Sequence, residues 1–64
     1  MKLHKYGKTG DWVTDKHNGH FYVIGRGSIG WNLYKDGDYC SAEGFAETLK
    51  EAREVANDLL NNED

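Results

Sequence analysis

From Leu49 onward the apolar residues keep a different period from the rest of the chain, and that switch limits the folds open to it. Leu49, Ala52, Val55, Ala56, Leu59 and Leu60 recur at the spacing that places them along one stripe of an α-helix. Thr48-Leu49-Lys50-Glu51 reads as a capping box, with the Thr48 hydroxyl meeting the N–H of Glu51 and the Glu51 carboxylate reaching back. Lys50, Glu51, Glu54 and Asp58 fall on the opposite face. Asn61-Asn62 is the expected end of the helix, and Glu63-Asp64 is expected to fray.

Everything before Thr48 reads as strands and tight turns. Trp12-Val13-Thr14-Asp15 and His20-Phe21-Tyr22-Val23-Ile24 are rich in aromatic and β-branched residues. Asn18-Gly19 lies between them. An Asn-Gly pair there signals a two-residue hairpin, because its turn needs positive φ at both central positions. Trp31-Asn32-Leu33-Tyr34-Lys35 alternates with period two, as a half-buried strand does. Asp36-Gly37 marks a second tight turn, with Asp38-Tyr39-Cys40 as its short return strand. Lys2 to Tyr6 is a candidate edge strand.

The expected fold is therefore α+β: a three- or four-stranded antiparallel sheet with one C-terminal helix packed on one face, residues 1–64 forming a single domain. At 64 residues such a domain buries only about 60% of the surface its unfolded chain exposes. The chain has one cysteine, so no internal disulfide staples it, and eight aromatics must supply much of the core. A second copy or a partner protein is the usual further source of stability, which makes a homodimer one expectation. The alternating residues Val13, Tyr22, Ile24, Asn32 and Tyr34 are candidates for the sheet face away from the helix.

Charge is segregated along the chain. Residues 1–35 carry a net +4 and residues 36–64 a net −7, for −3 in total. A basic, aromatic sheet suits nucleic acid. An acidic helix suits a solvated face, or a mimic of nucleic acid toward a protein that binds it.

The motifs that carry chemistry elsewhere are weak here. Gly25-Arg26-Gly27-Ser28-Ile29-Gly30 matches G-x-G-x-x-G, but a Trp-led strand follows it where a dinucleotide site needs a helix. It reads as a connection between strands, with a modest anion-binding loop at Arg26 as the alternative. His17 and His20 flank the Asn-Gly turn, and even with Asp15 they fall short of a structural zinc set. Cys40 has no base beside it in sequence and reads as a semi-buried structural thiol. No catalytic grouping, metal site or cofactor is expected. No apolar stretch approaches the roughly 20 residues of a membrane span. Met1-Lys2-Leu3-His4-Lys5 lacks the apolar core of a signal peptide, and the lone thiol fits a reducing cytoplasm.

Two partial resemblances follow from particular residues. Trp31-Asn32-Leu33-Tyr34-Lys35-Asp36-Gly37, then Phe45 and Thr48-Leu49-Lys50-Glu51-Ala52-Arg53, resembles a pattern in small proteins of bacteriophages and their hosts, over residues 12–60. The order of elements is similar to the three-stranded-sheet DNA-binding domain at the amino end of some phage and transposon integrases, which implies a sheet face set into the major groove.

Two functions are expected from these features. The first is a small non-enzymatic protein-binding module, of the phage type the resemblance implies and aimed at a host protein. It would use a spare sheet face with Tyr22 and Tyr34 and an acidic helix with Glu51, Glu54 and Asp58. The second is a sheet-face DNA-binding protein, in which Lys16, Arg26 and Lys35 contact phosphates and Tyr22 or Tyr34 lies near bases.

Overall fold

The computed structural model describes residues 2–8 and 10–62. Its elements are β1 (Leu3–Tyr6), β2 (Asp11–Thr14), β3 (Tyr22–Arg26), β4 (Trp31–Lys35), β5 (Gly44–Ala46) and α1 (Leu49–Asn61). The strands form one antiparallel sheet in the order β1-β2-β3-β4-β5, so each pairs with its neighbour in sequence. The α+β class and the single C-terminal helix are as the periodicity requires, and the sheet is wider than the three or four strands expected. Glu63 and Asp64, where fraying was expected, lie outside the described residues.

The candidate edge strand forms as β1, and a return strand also joins the sheet, though not the one expected. Asp36 (φ 54°) and Gly37 (φ 79°) reverse the chain, and Asp38 N–H donates to the Lys35 carbonyl at 3.0 Å. Asp38-Tyr39-Cys40 then forms no strand. Tyr39 instead turns back onto Tyr34, with ring centroids 4.7 Å apart. Pairing resumes where Glu43 N–H donates to the Leu33 carbonyl at 2.7 Å, and β5 follows along Trp31 to Leu33.

The β2–β3 hairpin carries an irregularity that positions later side chains. Asn18 (φ 54°) and Gly19 (φ 82°) supply the positive φ pair, and His17 and His20 exchange N–H···O bonds of 2.7 and 3.0 Å. Further along, Val13 pairs with Val23. Between these two pairs, three residues on one side oppose two on the other, so a bulge sits between Val13 and His17. Thr14 closes the gap: its buried Oγ1 accepts the Tyr22 N–H at 3.0 Å and donates to the Asp15 carbonyl at 3.1 Å.

Register sorts the side chains into two faces. Leu3, Trp12, Ile24, Leu33 and Ala46 project to one side together with Tyr22 and Trp31. His4, Tyr6, Asp11, Val13, Val23, Asn32, Tyr34 and Phe45 project to the other. α1 covers the first face, resting mainly on β4 and β5. Ala52, Ala56 and Leu60 are buried against it, with Leu49, Val55 and Leu59 at the margins. Thr48 caps the helix as expected, its Oγ1 accepting the Glu51 N–H at 3.1 Å. At the other end Asn62 N–H donates to the Asp58 carbonyl at 3.1 Å.

This arrangement corrects the expected open face. Tyr22 and Ile24 lie under the helix, while Val13, Asn32 and Tyr34 are on the reverse side as expected. Tyr22 is only 2% exposed. Among the described residues, no helix is long and apolar enough to cross a membrane.

Candidate functional site

The reverse face of the sheet carries the largest group of exposed aromatics. Its construction begins at Gly25 on β3, which has no side chain between β2 and β4. A Cβ there would lie 3.2 Å from the Tyr34 ring and 3.5 Å from the Asp11 carboxylate. Tyr39 bridges these same two neighbours. Its ring tilts at 45° against Tyr34, and its hydroxyl donates to Asp11 Oδ2 at 3.0 Å. The loop after β4 thus roofs part of the face, and a Cβ on Gly37 would touch Phe21 and Val23. Val23 is fully buried although no helix covers it.

What remains open is a strip across the sheet. Tyr6, Tyr39 and Phe45 are 41%, 51% and 47% exposed. Tyr6 lies on β1 and Phe45 on β5, so the strip crosses all five strands, about 19 Å at ordinary strand spacing. Burial pushes the Tyr39 phenol up to about 12, helped by its hydrogen bond to Asp11 and by the Asp11 charge. The strip therefore offers neutral aromatic surface with one carboxylate at its middle. Tyr and Trp surfaces of this kind are frequent anchors in protein interfaces.

The other residues singled out in the sequence do not converge on this strip. Tyr22 is in the core, so it meets neither a partner nor a base. Tyr34 is on the reverse face, half-buried beneath Tyr39. Arg26 and Lys35 project to the helix side, because they pair with Trp31 and Tyr22. Arg26 lies over the Trp31 ring, 5.7 Å from its centroid. The phosphate contacts and the aromatic contact of the DNA-binding arrangement are thus on opposite sides of the sheet. Lys16 is exposed beside the bulge, next to the end of α1. Glu51, Glu54 and Asp58 lie on the exposed outside of α1. Glu54 and Asp58 share a shallow depression there with Arg53, so their charge is partly offset.

The histidines are engaged separately. His4 Nε2 lies 2.7 Å from Asp15 Oδ1, and His20 Nδ1 lies 3.0 Å from Asp36 Oδ2. Asp15 thus faces His4. His20 beside Asp36 holds that carboxyl below its usual value, and the Phe21 N–H adds to the effect. Among the described residues no three metal-ligating side chains gather. Cys40 is exposed, in contrast to the semi-buried thiol expected.

The glycine-rich segment takes its composition from packing. Gly25 and Arg26 belong to β3, and Gly27 N–H donates to the Gly30 carbonyl at 2.6 Å to close a tight turn into β4. A Cβ on Gly30 would come within 2.6 Å of both the Ala46 carbonyl oxygen and the Phe45 ring. Gly30 therefore makes room for β5 and seats one end of the aromatic strip.

Tyr6 and Tyr39 are among the aromatics the sequence offers for a partner site, but nothing in it places them on the open face together with Phe45. Their common feature in sequence is a large aromatic residue in a short or polar segment with few apolar neighbours to bury it. No family model, curated protein or solved structure matches the chain, so the phage resemblance rests on the quoted residues alone.

Proposed function

We propose that this chain is a small non-enzymatic protein-binding module that engages its partner through the reverse face of the sheet. The observation that carries the reading is the half-exposed strip of Tyr6, Tyr39 and Phe45, held on a rigid sheet whose opposite face is taken up by α1. A 64-residue domain is marginal in stability, and half-exposed aromatics grouped on one face of it mark an interaction site. Asp11 within the strip disfavours a phosphate backbone and favours a partner that supplies a hydrogen-bond donor. The acids on α1 point elsewhere and serve solubility in this reading.

The test is affinity capture from cells that express the chain, with and without nuclease. Wild type is compared with Tyr6→Lys and Phe45→Lys on the strip and with Glu54→Lys on the helix, all checked for folding by circular dichroism. The reading expects one protein captured by wild type and Glu54→Lys, independent of nuclease, and lost from both strip variants. Capture that survives both strip substitutions would refute it, and capture that vanishes with nuclease would refute it in favour of the nucleic-acid alternative.

A further inference from the structure

A second surface lies on the helix side of the sheet, apart from the aromatic strip. α1 rests mainly on β4 and β5, so the β1–β2 end of that face is only partly covered, with Leu3 and Trp12 packed at the margin of the core. The result is an open groove of about 380 Å³ lined by Lys2, Leu3, Trp12, Leu49, Lys50 and Arg53. Its floor is apolar, formed by Leu3, the Trp12 indole and Leu49. Its rim holds three cations and, among the described residues, no acid. Lys5 adds a fourth positive group, with its Nζ 4.7 Å from the centre of the Trp12 ring.

This concentration runs against the rest of the molecule. The chain is net −3 and holds eight Lys and Arg in all, yet Lys2, Lys50 and Arg53 line this one groove and Lys5 lies over its Trp12 ring. Lys50 also stands in the first turn of α1, where the helix dipole favours an acid. A cation placed there works against helix stability and leaves a positive potential at the groove mouth. An anionic group seated beside Lys50 would meet both that side chain and the positive end of the helix.

We infer that the groove between β1–β2 and the first turns of α1 binds an acidic peptide segment carrying one apolar anchor side chain. The anchor packs on Trp12 between Leu3 and Leu49, and the flanking carboxylates meet Lys2 and Lys50. A volume near 380 Å³ accommodates one such side chain with adjoining backbone, at the lower end of ordinary ligand sites. A second copy of the chain placed edge to edge along β1 fits less well, because Lys2 and Lys5 would then approach their own counterparts. The wide mouth and exposed rim point to a weak, salt-sensitive complex.

The test is a titration of the isotopically labelled full chain, followed by amide and indole shifts in NMR. The probe is the synthetic peptide acetyl-Asp-Glu-Phe-Asp-Glu-amide. Controls replace its Phe with Ala, or its acids with Lys and Arg. The expected result is saturable shifts at Leu3, at the Trp12 indole N–H and at Leu49, with Tyr34 and Phe45 unmoved. Loss of the Phe anchor or reversal of the peptide charges should abolish saturation. Lys50→Glu, which suits the helix dipole and keeps the fold, should weaken binding about fivefold or more. Absence of groove shifts at millimolar peptide, equal shifts with the basic peptide, or no effect of Lys50→Glu would each overturn the inference.

Discussion

Replacing Thr14 with valine should destabilise this protein more than replacing it with serine, although valine is the closer match in shape. Thr14 Oγ1 accepts the Tyr22 N–H at 3.0 Å at the bulge where the β2–β3 ladder loses register. Thr14 is 4% exposed and Tyr22 2%, so water has little access to either group. Valine removes the acceptor and leaves a buried N–H unpaired, a loss of about 1–3 kcal/mol. The methyl that replaces the hydroxyl recovers less than about 1 kcal/mol. The Asp15 carbonyl also loses its donor, but Asp15 is exposed and water can replace it. The net expectation is a loss of about 1–2 kcal/mol, against a total of roughly 3–10 kcal/mol for a chain of this length. Serine keeps the acceptor and forfeits one methyl, about 0.8 kcal/mol at most. Urea unfolding reads the difference directly. With a slope near ~1 kcal/mol per molar, the midpoint should fall by about 1–2 M for Thr14→Val and by less for Thr14→Ser. Amide exchange at Tyr22 should quicken only in the valine variant. A valine variant as stable as the serine one would refute the assignment of the Tyr22 donor to this hydroxyl.

Gly30→Ala should cost about 1–3 kcal/mol by urea unfolding and loosen β5, because its Cβ collides with the Ala46 carbonyl and the Phe45 ring; an unchanged midpoint would contradict that packing. Tyr39 should ionise well above an ordinary phenol in an ultraviolet absorbance titration, and Asp11→Asn should bring it down. Because its folded value is raised from 10 to about 12, its share of stability is complete below pH 10 and is lost as pH rises through about 12. Asp36 has the opposite sign: its folded value is lowered, so its contribution is present above the ordinary value of 3.8 and is lost as pH falls through the lower folded one. A carboxyl NMR titration should place Asp36 below 3.8 in wild type and higher in His20→Gln.

The helix was readable because its signals are local. Thr48, Glu51 and the six-residue apolar stripe lie within thirteen positions; the Thr48 cap and the stripe match where the structure puts them, while the Glu51 carboxylate does not reach back as expected. The Asn18-Gly19 turn was readable for the same reason. β5 was not, because Gly44-Phe45-Ala46 has no strand signal of its own and is extended only by pairing with Trp31 to Leu33. Tyr39-Cys40 has the stronger local preference, yet Tyr39 gains more from stacking on Tyr34 and bonding Asp11. Period two told which residues share a face but not which face meets the helix. Asn32 and Tyr34 lie on the open face as expected, but the β3–β4 register that pairs Ile24 with Leu33, and so puts Tyr22 and Ile24 beneath α1, has no local signal. The glycine motif misleads for a related reason: close approach of a strand and close approach of a phosphate select the same residue.

The central claim is that the face opposite α1 is where another protein docks. A benzophenone amino acid in place of Phe45, compared with the same group in place of Glu54, tests this in living cells under ultraviolet light. The account predicts one discrete protein adduct from position 45 that resists nuclease, and none from position 54. Adducts from position 54 alone, or a nucleic-acid adduct from position 45, would contradict it.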